Sequence, residues 1–124
     1  MRKYLLHILI ISFVFAFQVS AFDKTDFEKA KDSNADLSGA ELYNANLRDA
    51  YLENADLSDA TLYGVLLKDA YLFGANLTQV KNLSINQLSE VETLYKAKLD
   101  PELKKQVKDK YPHLLKKPEY YDEE

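Results

Sequence analysis

From position 35 to position 79 the apolar residues keep a fixed five-residue beat. Leucine stands at 37, 42, 47, 52, 57, 62, 67, 72 and 77. Two residues before each stands Ala35, Ala40, Ala45, Ala50, Ala55, Ala60, Val65, Ala70 or Ala75. A helical stripe recurs about every 3.6 residues and a strand face about every 2, so neither yields a strict five. A small and a large apolar residue two apart point to the same side of extended backbone. The residues around them are mostly polar, and Gly, Asn or Asp is frequent at the fifth place. Those residue types tolerate turn geometry. Each unit therefore predicts a short side and a corner, and the fixed period predicts a stack of such units.

The flanks break the beat. Arg2 and Lys3 precede an apolar run, Tyr4 to Phe17, interrupted only by His7 and Ser12. Val19, Ser20 and Ala21 supply small residues for a cleavage site. This pattern predicts a secretory signal peptide over 1–21, with the mature chain starting at Phe22. The run is shorter than the roughly 20 residues that span a bilayer, and no stable membrane anchor is expected after cleavage. An approach segment, 22–34, follows. Phe22 and Phe27 fall in the Leu phase, whereas Asp32 is wrong for a buried place. Phe27 plugging the open end of the core and a short helix over Lys24 to Lys31 are both open readings.

Beyond Gln79 the sequence predicts a cap over 81–117. Ser84 and Gln87 have capping-box spacing, so a short helix is expected from Ile85 to Glu90 or Val91. Leu94 and Leu99 restore the five-residue step, and Thr93 to Leu99 reads as one more partial turn. Asp100-Pro101 then opens a helix, with Asp100 as N-cap and Pro101 in the first turn. Leu103, Val107 and Tyr111 give that helix an apolar side, and Pro112 ends it. Residues 118–124 read as a mobile acidic tail.

The units ADLSG, AELYN, ANLRD, AYLEN, ADLSD, ATLYG, VLLKD, AYLFG and ANLTQ closely resemble the pentapeptide-repeat family, whose motif is A(D/N)Lxx. The resemblance implies an all-β solenoid for 35–80. Its form would be a right-handed quadrilateral β-helix of two to three coils with a short α-helical C-terminal cap. In that family four sides close a coil of about 20 residues, Leu fills the axis and Ala packs under the corner. TLYKAKLDPEL also resembles the segment that often follows such repeats. The scaffold serves many purposes, so it does not fix a function.

Residues 20 apart should then share a face. Tyr43 pairs with Tyr63, Tyr51 with Tyr71, Arg48 with Lys68, and Phe73 lies beside Tyr71 above Glu53. Tyr51, Tyr71 and Phe73 are the candidate protein-contact patch, since exposed aromatics favour interfaces. The alternative is that they stabilise neighbouring strands or lie under the C-terminal helix. Arg48 and Lys68 read as solvated cations beside Asp49 and Asp69.

Composition narrows the function. The 124 residues carry a formal charge of −4. Loss of Arg2 and Lys3 leaves 14 basic and 20 acidic residues, a net charge near −6. Such a surface disfavours nucleic acid and anionic membranes. There is no cysteine, and His113 is the one histidine after the signal segment. Glycine occurs only at 39, 64 and 74, all at repeat corners, so no phosphate-binding loop is present. No catalytic, cofactor or metal site is expected. The expected function is an exported, periplasmic or secreted, non-enzymatic scaffold for an unidentified protein partner. The alternative is an acidic DNA mimic acting on a topoisomerase, which the export signal and the short stack disfavour.

Overall fold

The computed structural model describes residues 34–121. The signal segment, Phe22, Phe27 and the helix considered over Lys24 to Lys31 lie outside the described residues, as do 122–124.

Each repeat unit folds as a short side and a corner because its residues leave little alternative. The nine Leu of the beat are at most 4 % exposed, and the nine Ala-phase residues at most 7 %. From Leu37 to Leu72 the N–H three residues after each Leu of the beat donates back to its carbonyl, as Ala40 to Leu37 at 3.0 Å. Every fifth residue from Asn34 to Gln79 has φ between 49° and 68°. This left-handed backbone suits Gly, Asn and Asp, which is why they fill the fifth place. At Gly64 a Cβ would also meet the Asn44 amide oxygen, so that side chain would have to move aside.

Units 20 residues apart are joined by parallel bridges in four rows. Asp36 pairs with Asp56 and Asp56 with Asn76; Glu41 pairs with Thr61 and Thr61 with Lys81. Asn46 pairs with Leu66, and Tyr51 with Tyr71. The rungs are short: the Leu37 N–H reaches the Asp56 carbonyl at 2.7 Å, and the Asp56 N–H the Ala35 carbonyl at 2.8 Å. Asp36, Asp56 and Asn76 fold their side chains onto the N–H groups of Ser38, Ser58 and Thr78, at 3.0–3.1 Å. These local turns help set the corner.

After Lys81 the spacing grows to 22 residues. Tyr71 pairs with Thr93, and β1 (Asn76–Leu77) with β2 (Lys98–Leu99) in parallel. Two extra residues enter around a 3-10 turn, Ile85–Leu88. The sequence pattern predicts a longer helix there. The turn stops early because Leu88 and Val91 both have to enter the core, where they are 0 % and 5 % exposed. The Ser84–Gln87 capping box does form. Gln87 also donates from its amide to the carbonyls of Leu62 and Val65, at 2.9 and 3.0 Å. A side chain thus stands where a backbone rung stands 20 residues earlier, the Leu66 N–H on the Ala45 carbonyl.

The α-helix α1 spans Pro101–Lys110. Asp100 occupies its N-cap but does not cap it. Its carboxylate instead accepts the N–H of Gln79, at 2.8 Å, where the last left-handed corner of the beat needs a partner. Val107 is fully buried, and Leu103 and Tyr111 are half-buried against the core. Helix α1 lies against the Ile85–Leu88 turn and a second 3-10 turn, Pro112–Leu115. Leu114 is buried, and its carbonyl accepts the Leu94 N–H at 2.8 Å, closing the end of the core.

Candidate protein-contact face

The four-row pairing brings the three predicted patch residues onto one side. Tyr51 and Tyr71 bridge directly and stack, with centroids 4.8 Å apart and planes 15° apart. Phe73, two residues on, shares this face of the stack, and its ring lies 5.6 Å from Tyr95. All three are half-buried.

Their cover is not the helix. The sequence pattern considers α1 as the lid; the structure instead seats the C-terminal tail there. Tyr121 stacks on Phe73 at 4.3 Å and 17°, and Tyr120 meets Tyr71 edge-on at 6.4 Å. The Tyr121 hydroxyl donates to the Glu53 carboxylate at 2.8 Å. Residues 118–121, expected as mobile, are therefore placed against the repeats. The physical reason is that Val107 and Leu114 find their apolar surface at the end of the core, beside Leu88 and Leu94. The aromatic side is left for the tail.

Glu53 takes part in this contact from a buried position. It is 7 % exposed, the one charged residue buried among the described residues. Its counterparts one unit away, Arg48 and Ser58, are exposed or half-buried. Burial, then the hydrogen bond from Tyr121 to Glu53, pushes the Tyr121 hydroxyl up to about 12. Burial likewise raises Tyr71, with the charge of Glu92 next. Lys96 places its ammonium 5.8 Å from the Phe73 ring and 5.5 Å from that of Tyr95, within cation–π range.

Tail docking is closely balanced. Ordering four residues costs about 1–2 kcal/mol each in backbone entropy. Two ring contacts return about 0.5–1.5 kcal/mol each beyond burial, and a hydrogen bond to a charged group about 1.5–3 kcal/mol. The seat is a local addition to a core that closes without it.

Sequence reasoning missed Tyr120, Tyr121 and the role of Glu53. The available signal was a pair of adjacent tyrosines in an otherwise charged tail. Elsewhere, Tyr43 and Tyr63 are 55 % and 60 % exposed. Arg48 and Lys68 are exposed and line an open groove with Leu66, Asn86, Ser89 and Glu90. His113 is exposed, edge-on to Tyr111. Among the described residues, no cluster of three or more His, Cys, Asp or Glu could hold a metal, and no helix is long and apolar enough to cross a membrane.

The family model described as pentapeptide repeats matches this chain in 8 copies, over residues 20–59 and 33–69. The segment 20–69 is thus a run of pentapeptide repeats, and the match supports membership of that family. It begins upstream of Ala35, where the sequence pattern first becomes regular, and ends before Gln79, the last left-handed corner at the five-residue spacing. No curated protein matches the chain.

Proposed function

We propose that this chain is an exported, non-enzymatic scaffold that presents the Tyr51–Tyr71–Phe73 face to a protein partner, in the periplasm or outside the cell. In this reading the repeats form a right-handed quadrilateral β-helix of two to three coils. The segments would be a signal peptide over 1–21, an approach over 22–34, the repeats over 35–80 and a cap over 81–117. The signal peptide is cut after Ala21, leaving no membrane anchor, and no cofactor or metal takes part.

The observation that carries the reading is the division of labour within each unit. Two of every five places are given to burial and one to the corner, so only the outward places remain free to specify contacts. Where those places carry stacked tyrosines and Phe73, the surface has the composition of an interface rather than of a solvated face. The family match supports the scaffold class.

The test is affinity capture from the exported compartment, with the full mature chain as bait. A protein captured by the wild type and lost with Phe73→Ser, at unchanged secondary structure, is expected. Capture of nothing from that compartment, or of a cytosolic topoisomerase alone, overturns the reading.

A further inference from the structure

We propose that the aromatic face is a docking groove for a turn-forming, tyrosine-bearing peptide segment of a partner protein, and that residues 118–121 are its displaceable resident. The proposal rests on the interaction reading above and adds the chemistry of the ligand. The groove has a flat floor, the Tyr51–Tyr71 stack, and a ring, Phe73, that accepts another ring face to face. Beside that ring lies a buried carboxylate, Glu53, whose hydrogen bond from Tyr121 spans 68 residues of sequence. A phenol satisfies both features at once. A phenylalanine would fill the ring seat and lose the hydroxyl bond, and an aliphatic side chain would satisfy neither. A seat of this kind discriminates by the hydroxyl, because a ligand lacking it forfeits a hydrogen bond to a buried carboxylate.

Three observations make the tail an occupant rather than a part of the core. First, the Ala and Leu columns are closed by residues outside it, the last being Leu114. Second, Tyr120 remains 57 % exposed while touching Tyr71, so an incoming chain has access along the tail's own edge. Third, only the short stretch after Leu114 needs to move for the groove to open. The tail therefore tells what the groove takes: two consecutive aromatic residues at the end of a tight turn, closed here by the Tyr121 N–H on the Pro118 carbonyl at 3.0 Å, the second with a hydroxyl. A tethered resident also sets a threshold, since a free ligand has to compete with the high local concentration of the tail.

The experiment uses the full mature chain and a synthetic peptide of residues 116–124, with binding read by calorimetry. The Tyr120→Ala/Tyr121→Ala protein, with its groove vacated, should bind the peptide at least tenfold more tightly than the wild type. A peptide with phenylalanine in place of its second tyrosine should bind several-fold more weakly. Should the double variant fold poorly, Tyr121→Phe keeps the ring and weakens the resident. It should then also bind the wild-type peptide more tightly than the unaltered chain. Equal affinities for all proteins, or no binding to any folded variant, overturns the groove. The two readings separate cleanly. Partner capture that is indifferent to excess peptide and to Tyr120→Ala/Tyr121→Ala keeps the scaffold and sinks the groove. Tight peptide binding with no partner captured sinks the scaffold and keeps the groove.

Discussion

At the scale of single residues, each place in the five-residue unit has one physical job, and substitutions should be read by place. Leu57 is 1 % exposed in the middle of its column. Leu57→Ala should cost roughly 2–5 kcal/mol through lost burial and an unfilled cavity, measured by denaturant unfolding. Ala55 is 1 % exposed, and Ser58 is half-buried with its hydroxyl on Asp56 at 2.6 Å. Ala55→Leu should therefore lower the melting temperature more than Ser58→Leu; equal melting temperatures would refute the inward and outward assignment. The corner place allows a second comparison. Gly39 and Gly64 have φ of 67° and 68°, so alanine at either meets a conformational penalty of about 1 kcal/mol. Only at Gly64 does the new Cβ also meet Asn44, whereas the space around Gly39 is open. Gly64→Ala should be clearly the more destabilising, and similar unfolding midpoints for the two would count against the close packing of these corners. These jobs were legible in the sequence because they repeat: nine copies of one unit average out the noise of any single residue. Glu53 was not legible, because the Tyr121 hydroxyl that donates to it lies 68 residues further along the chain.

Among elements, the contrast is between those set by their own residues and those set by a distant one. The Ser84–Gln87 capping box and the Pro101 start of α1 were readable, since both are local signals. The length of the Ile85–Leu88 turn was not, because the demand for Leu88 and Val91 in the core overrides the helical continuation. The diversion of Asp100 was equally hidden: its cap role lost to Gln79, 21 residues earlier in the chain. Gln87 combines both cases. Gln87→Ala should cost about 1–3 kcal/mol, because it takes the donor from the Val65 carbonyl and one of two donors from the Leu62 carbonyl, as well as removing half of the capping box. Retention of wild-type stability would mean that solvent serves Leu62 and Val65 as well as the amide does. The tail gives the sharpest prediction at this scale. The Tyr121 hydroxyl is raised from its ordinary value near 10 to about 12 when docked. A group raised in the bound state stabilises that state fully below its free value and loses the effect as pH rises through the bound one. Tail docking should therefore hold below about pH 10 and fail between about pH 10 and 12. Amide exchange at residues 118–121 reads the release, and Tyr121→Phe, which has no proton to lose, should release its tail with a weaker dependence on pH. Identical profiles for the two proteins would remove Tyr121 from the docking contact.

For the whole molecule, the short stack sets the terms. A repeat array buries its core only against neighbouring units, so its ends need covers of a different kind. The C-terminal cover is built from α1, the two 3-10 turns and Leu114, and it was foreseen only in outline, as helices after the beat. Its actual placement follows from which apolar surface lay within reach of Val107. In the sequence before Asn34 the questions of processing and folding meet. The family match starts at residue 20, inside the segment that the sequence pattern assigns to export. Cleavage after Ala21 would separate the basic pair and the apolar run from the repeats while sparing Phe22, Thr25, Phe27 and Ala30, which keep the repeat phase. The cut would thus leave the mature chain with residues suited to the first coil and shift its charge from −4 to near −6. Exported material should accordingly begin at Phe22 and remain in the aqueous fraction, as read by intact mass and N-terminal sequencing. Moving the cut downstream, to leave residue 31 as the first, should lower the melting temperature, because the phased residues are then lost from the open end. A full-length mass in the membrane fraction would instead make the segment an anchor, and the aromatic face would work from a tether at the membrane surface.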